Sequence, residues 1–424
     1  MKRWINGMVV LALIVGLTGT IGADRTAAAE PLPFPDIEKH WAKDTILEAY
    51  KRGLVDGYPD GTFKPDAVVK ADEFIVMMLK VFSKTTNGKT EFDPEWLDEL
   101  YMFQPLYTMR IESKVKELKF NFINASSGYW AKPYIDFLQA IPFLSDNDSL
   151  FPQNNYDRYK KQIKREEASY LLGTWYKRYE GSIDGLYEDF IIRNSGLKDF
   201  NSFSEVAGTN RAMVLMSGLM NGYPNKYFYP QRYVTRAEAL TMVLRLRDKS
   251  LRKPFKPDLT GQYYIEKNGN ITLISDKFKY DTYHKLIELG DKHVTTGYLD
   301  PSYVPALSVF NSHDDYEKFV FYTRMGYFDQ RPLAEIGAGV SNGTTREVFV
   351  SYLQSKKLEH SSKFFDAILE LYAGNGKGSE LKKLMETYEK KAGSTGKDIQ
   401  YFKFNGKDYR MYTSGQYYFL VMRY

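Results

Sequence analysis

The chain has 424 residues, enough for two or three domains with cores of their own, and its 58 Lys and Arg against 53 Asp and Glu leave a formal charge of only +5. So small an excess excludes the dense basic surface of a nucleic-acid binder, and the absence of Cys excludes a disulfide framework. Aromatics reach 16%, carried by 34 Tyr and 27 Phe, a supply of rings for packed cores and for stacking on flat or sugar faces.

The first segment in chain order is a leader. MKRWINGMVVLALIVGLTGTIGADRTAAAE opens with Lys2 and Arg3, runs apolar from Met8 to Leu17 and ends on Ala27, Ala28 and Ala29, the pattern of a secretory signal peptide over residues 1–29. The apolar run is shorter than the ~20 residues of a spanning helix, so cleavage near Glu30 is expected, with no membrane segment left in the mature chain. No Cys stands at the exit to carry a lipid. An exported chain without a thiol fits the envelope of a monoderm bacterium.

A repeated segment follows. Residues 56–66 read DGYPDGTFKPD and residues 221–231 read NGYPNKYFYPQ; with Gly57 set on Gly222, Gly53 meets Gly218, Phe63 meets Phe228, Pro65 meets Pro230, Val69 meets Val234 and Glu73 meets Glu238. A third copy lies between them, where YWAKPYIDFLQA from Tyr129 mirrors HWAKDTILEAYK from His40. The units span residues 30–82, 127–177 and 197–248, and each reads as helix, turn, helix. In the first, Ala42, Ile46, Ala49, Tyr50 and Gly53 fall at helical spacing. Gly53 is placed to end that helix in a left-handed cap, and Pro59 with Gly61 makes a tight turn. The second helix, from Ala71, is apolar nearly all round, as a helix buried among its neighbours should be.

FPDIEKHWA, GYPDGTFKPD and VTRAEAL resemble the S-layer homology module, and three in a row is that family's common arrangement. The resemblance implies a three-pronged helical spindle, a pseudo-trimer whose second helices form a central bundle. It also implies a task, noncovalent attachment to a secondary cell-wall polysaccharide that often carries a pyruvate ketal, through grooves between the prongs, in the company of other surface-layer proteins. A ketal-linked pyruvate is a carboxylate on a sugar, so its receptor needs a planar cation donating in pairs, an aromatic platform and backbone donors on a close loop. The family's T-R-A-E motif falls on Thr235-Arg236-Ala237-Glu238, on Lys164-Arg165-Glu166-Glu167 and on Lys70-Ala71-Asp72-Glu73, where Ala71 replaces the Arg and Lys70 could act as a point charge. Glycan contacts are therefore expected from Arg165, Arg236, Lys70, Trp41, Trp130, Asp44 and Gly61, with no catalytic residue, metal or cofactor. The third unit has Val206 where the others have Trp, and the second replaces the GYPDG turn with LSDNDSLFP.

Structural roles compete for the same residues. Trp41 and Trp130 can equally be core, and the two Arg can pair with neighbouring carboxylates. Glu73, Glu167 and Glu238 stand where a first-turn carboxylate reaches back to orphan amides, which favours a capping box. The Asp residues of DGYPDGTFKPD lack the spacing of a calcium loop, and turn chemistry explains them.

Residues 83–126 are expected to be a helical insertion with an extended end, 178–196 a short link and 249–261 a linker. From 262 a different domain begins, with strands at both ends and helices between, so the whole chain is α+β and multidomain. Asn268-Gly269 and Asn405-Gly406 each signal a type I′ hairpin, and helices are expected at 281–289, 314–325, 345–354, 361–372 and 379–391. Chemistry is scarce there. Lys377-Gly378-Ser379 has the wrong order for a phosphate loop, which leaves Ser379 as a helix N-cap. His313 beside Asp314 and Asp315 offers an acid-base or metal pair, but Ser312 with Asp315 three later marks a helix start and is favoured; Asp276, Asp281, Glu288, Asp291 and Asp300 could include a glycosidase pair, which nothing distinguishes among 53 Asp and Glu. GAGVSNGTT from Gly337 is expected to be a loop. The leading expectation for 262–424 is a structural or binding module displayed at the cell wall or surface layer, and the rival is a wall- or glycan-acting enzyme. Mass spectrometry of the envelope protein should find a mature amino terminus near Glu30 without lipid; recovery of intact Met1 would overturn the leader assignment.

Overall fold

The computed structural model describes residues 32–424 apart from 123–127, 142, 145–147, 154, 268, 302–303, 342–345, 356 and 394–397, so the leader lies outside the described residues. In the first unit, α1 (Lys43–Lys51) leads through the 56–66 turn to α2 (Ala71–Lys80). The helix end follows from glycine: Gly53 takes φ 67, its N–H donates to Tyr50 O at 2.9 Å and Leu54 N–H donates to Ala49 O at 3.0 Å, the two bonds of a Schellman cap. Within the turn, Gly61 at φ 79 donates to Tyr58 O at 2.9 Å, while Tyr58 N–H donates to Thr62 O at 2.7 Å. The third unit repeats this with Lys226 at φ 64 donating to Tyr223 O at 2.9 Å, so the loop keeps its shape without the glycine.

A carboxylate pins each of these two loops. Asp36 accepts from Phe63 N–H at 2.9 Å and Lys64 N–H at 2.7 Å; Asp199 accepts from Phe228 N–H at 2.6 Å and Tyr229 N–H at 2.7 Å. The chain beside each carboxylate also presses on a glycine. A Cβ on Gly57 would lie 2.3 Å from the Phe34 ring, and one on Gly222 would lie 2.2 Å from Leu197.

The insertion after α2 holds the expected helices but adds strands before them. It opens with a hairpin, β1 (Ser83–Thr86) and β2 (Lys89–Phe92), because Asn87 and Gly88 both take positive φ, 53 and 74, as a tight hairpin turn requires. Helices α3 (Pro94–Phe103) and α4 (Pro105–Glu117) follow. The second unit holds α5 (Lys132–Ala140), α6 (Tyr156–Tyr159) and α7 (Arg165–Tyr179); the link contains α8 (Gly185–Asn194), and the third unit holds α9 (Arg211–Met216) and α10 (Arg236–Arg247).

The second helices begin against one another. Ala71 N–H donates to Lys161 O at 2.9 Å, Arg165 N–H to Arg232 O at 2.8 Å and Arg236 N–H to Ala67 O at 2.8 Å, with antiparallel bridges Lys70–Gln162, Lys164–Tyr233 and Val68–Thr235. These bonds run from the first unit to the second, the second to the third and the third to the first. Each satisfies a helix-start donor that has no partner within its own helix. Behind them Glu73, Glu167 and Glu238 accept from the N–H of Lys70, Lys164 and Thr235 at 2.7, 2.9 and 3.2 Å, the carboxylate half of a capping box.

Residues 249–261 are docked. Arg252 forms a bidentate pair with Glu180 at 2.6 Å on both arms, Phe255 N–H donates to Leu215 O at 3.1 Å, and Phe255 and Leu259 pack on the first core. The hairpin of β3 (Tyr263–Lys267) and β4 (Asn270–Ile274) adds Ile271 and Leu273 to that same core; Gly269 turns it at φ 76, and Asn268 lies outside the described residues.

After α11 (Lys277–His293) the chain builds a second core on an antiparallel sheet. Its strands are β5 (Tyr298–Asp300), β6 (Ala306–Phe310), β7 (Ile336–Val340) and β8 (Glu347–Leu353), then β9 (Gln400–Phe404), β10 (Lys407–Ser414) and β11 (Tyr417–Arg423), in the order β5-β6-β7-β8-β11-β10-β9. Between them come α12 (His313–Met325), α13 (Ser362–Ala373) and α14 (Gly378–Glu389). The helix expected at 345–354 is thus not formed over the described residues 346–354. Val348, Val350 and Tyr352 alternate into the core at the period of a strand. Of the loop expected from Gly337, residues 337–340 belong to β7 and 342–345 lie outside the described residues; Gly339 admits close approach because a Cβ there would lie 2.6 Å from Ala306 Cβ. Ser379 is not the N-cap of α14; that helix starts at Gly378, and Glu370 accepts from Gly376 N–H at 2.7 Å and Gly378 N–H at 2.8 Å.

Losing a carboxylate that holds two adjacent amides removes charge-assisted bonds, so Asp36→Ala or Asp199→Ala should each lower the unfolding free energy by about 2 kcal/mol. Urea denaturation of the full chain measures it, and an unchanged midpoint in both variants would refute the clamp.

Candidate glycan-binding cleft

The ring places an Arg from one unit under the loop of another. Arg236, at the start of α10, lies with its guanidinium carbon 5.0 Å from the centre of the Tyr58 ring and 4.7 Å from that of Phe63, and its Nη2 donates to Asp56 O at 2.8 Å. Its Nε is buried and makes no hydrogen bond. Beside it opens a cleft of about 270 Å³. The first unit lines it with Asp56, Gly57 and Tyr58 from the loop and Glu73, Val76, Met77 and Lys80 from α2, the second unit adds Trp130, and the third adds Arg236. Trp130 stays 42% exposed although it precedes a helix with four buried residues, so its ring is not spent on the core.

Arg165 repeats the insertion one unit on. Its guanidinium lies 4.7 Å from the Tyr223 ring and 4.9 Å from the Phe228 ring, Nε donates to Phe228 O at 2.9 Å, and Nη2 donates to Asn221 O at 3.1 Å. Here the corner is filled. Arg232 binds both the Tyr223 hydroxyl and the Glu238 carboxylate, Arg245 donates to Asn221 Oδ1 at 2.9 Å, and Arg165 is only 3% exposed. Burial lowers the Arg165 pKa and pushes the Tyr223 phenol up to about 12, the latter against the pull of the Arg165 charge. The third corner has no Arg. Ala71 occupies that position, and the adjacent Asp72 is buried and accepts from the Tyr129 hydroxyl at 2.6 Å.

The cleft therefore unites Arg236 and Trp130. Trp41 is 65% exposed and sits against His40, while Asp44, Lys70 and Gly61 are also exposed; with Arg165, none of these lines the cleft. Sequence reasoning passed over Gly57, Tyr58 and Lys80. Their signal was available, because Gly57 and Tyr58 recur as Gly222 and Tyr223, and Lys80 stands in register with the equally basic Arg245.

A family model described as the S-layer homology domain matches residues 33–75 and 212–240, the loop and helix starts that build this corner. This chain carries S-layer homology domains. Among curated proteins it is 30% identical over 39% of its length to cell surface glycoprotein 1 of Acetivibrio thermocellus. It is 27% identical over 40% to the cellulosome-anchoring protein of the same organism, and 22% identical over 61% to an S-layer protein of Bacillus licheniformis. The chain covers 6%, 32% and 24% of those relatives, so the likeness belongs to a shared segment rather than to whole proteins.

The S-layer homology corners differ in what their Arg does, which stability can separate. Truncating Arg165 leaves one buried and one part-buried carbonyl unmet and should cost about 3 kcal/mol, whereas Arg236, whose one hydrogen bond is exposed, should cost about 1 kcal/mol on truncation to Ala. Urea melts of both variants decide the order; a larger loss for Arg236→Ala would refute it.

Proposed function

We propose that the chain is exported, loses residues 1–29 and is held noncovalently to a secondary cell-wall polysaccharide by its S-layer homology units, displaying residues 262–424 at the surface of a monoderm bacterium. The observation that carries this reading is the convergence of Arg236, Trp130 and Lys80, each from a different unit or helix, on one cleft beside the Gly57 loop. In this reading the circular set of backbone bonds is the collar of a three-pronged pseudo-trimer, and the cleft is the groove between prongs.

The chemistry suits an anionic sugar. Arg236 offers a planar donor set seated on two rings, Lys80 makes no ion pair among the described residues, and Trp130 offers an apolar platform. Two cations, Arg236 and Lys80, face two carboxylates, Asp56 and Glu73, and Glu73 is turned to the Lys70 amide, so a ligand carboxylate would be held by the paired donors of Arg236 rather than by an excess of positive charge. A pyruvate ketal fits that arrangement. Among the described residues only the first unit's loop keeps both an Arg and an open corner, so in this reading the three units carry one working groove.

Calorimetry with a pyruvylated disaccharide should give one site per chain. Losing one member of a half-buried charge pair corresponds to about a thirtyfold or larger drop in affinity, expected for Arg236→Ala, while Lys70→Ala should stay within about twofold of the parent. Two sites per chain, or undiminished binding by folded Arg236→Ala, would sink the assignment.

A further inference from the structure

The seven-stranded sheet has two unlike faces. Tyr352, Val350 and Val348 of β8, Leu420 and Met422 of β11 and the residues in register with them pack under α11, α13 and α14. The opposite face is covered at one end only, where α12 lies on β5 and β6 through Tyr298–Tyr316 and Phe310–Phe319 ring contacts at 4.9 and 5.1 Å. Over β8, β11, β10 and β9 no described helix covers it. A groove of about 420 Å³ opens there, lined by Glu347, Tyr401, Lys403, Asp408, Arg410 and Arg423 around Val421.

Strand register arranges those side chains in two rows across the sheet. In one, Tyr401, Arg410, Val421 and Phe349 are successive partners; in the other, Lys403, Asp408, Arg423 and Glu347 are. The first row is planar or apolar, and over four strands it runs about 14 Å. The second row lies two residues along each strand on the same face and is wholly ionic, alternating in sign, with Lys403 to Asp408 at 3.0 Å and Arg410 reaching Glu347 at 3.0 Å.

We propose that this face is a second, noncatalytic glycan-binding site, taking a neutral, flat, β-linked oligosaccharide laid across the strands with its ring faces on Tyr401 and Arg410, above the buried Val421, and its hydroxyl edge along the ionic row. Each feature selects that ligand. A pyranose in an extended β-linked chain has C–H faces that rest on rings and guanidinium planes, and edge hydroxyls that both donate and accept. The ionic row offers donors and acceptors alternately, which matches hydroxyls. Three cations stand against two carboxylates in the groove, too balanced to hold a polyanion. The row is bordered on one side by the ionic row and on the other by the stacked Tyr412–Phe419 pair at 5.1 Å, which extends the flat platform along the strands. Both carboxylates are engaged by cations and are separated by Arg423 on β11, so the groove presents no free acid and base pair.

The test is calorimetry of the full chain with cellopentaose and with N-acetylchitopentaose. At least one should bind, and removing one stacking platform or one acceptor should weaken it about tenfold, in Tyr401→Ala and in Asp408→Ala. Tyr401 is 69% exposed, so its truncation leaves the fold intact, which circular dichroism verifies. Arg236→Ala should not change this affinity, which separates the site from the wall-binding cleft. The proposal fails if neither pentasaccharide binds at millimolar concentration, if binding survives Tyr401→Ala, or if it disappears in Arg236→Ala. Chromatography showing shorter sugars after incubation would replace the binding site by an active site.

Discussion

Everything in the first 250 residues depends on where three helix starts find their hydrogen bonds. A helix leaves its first amides without partners, and in water they cost little, but here the starts of α2, α7 and α10 are buried together. The solution is circular: each unit's leading segment supplies a carbonyl to the next helix. The apolar character of α2 follows from this, because a helix whose start is fixed among three segments has neighbours on every side.

The same circle brings an Arg under a neighbouring loop, and what that Arg can do depends on its surroundings more than on itself. Arg165 and Arg236 occupy matching places and lie on matching pairs of rings. Yet Arg165 has a second carbonyl partner and a roof made by Arg232, Tyr223 and Glu238, whereas Arg236 faces an open corner. Repetition of a motif therefore does not repeat a site. Divergence of a few polar residues around a fixed frame is enough to cover one copy and leave another open.

The repeat, its capping glutamates, the left-handed Gly53 and the turn at Gly61 were legible in the sequence because each rests on local chemistry, a residue type at a fixed offset. The cleft was half legible. Arg236 and Trp130 stood out as residue types, but that they meet, and that Arg165 is covered, depends on contacts between units far apart in the chain. The C-terminal helices at α11, α12, α13 and α14 were readable from their periodicity, with Ser312 capping α12 as its sequence suggests at 3.1 Å from Asp315 N. Strands β7 and β8 were not. The short apolar run of β8 fits either period until its partners are known, and the glycines of β7 look like loop until Ala306 is seen against them.

The docked segment at 249–261 changes what kind of object the chain is. A free linker would let the distal sheet swing and would carry any pull as tension in a single peptide. Here the Arg252–Glu180 clamp, the Phe255 anchor and the Ile271–Leu273 hairpin fasten the entry to the sheet along the flank of the helical units. Drag on the outer domain is then shared in shear among several buried contacts. The attachment behaves as a rivet plate rather than a hinge, and the orientation of the sheet is set by the helical units it is fastened to.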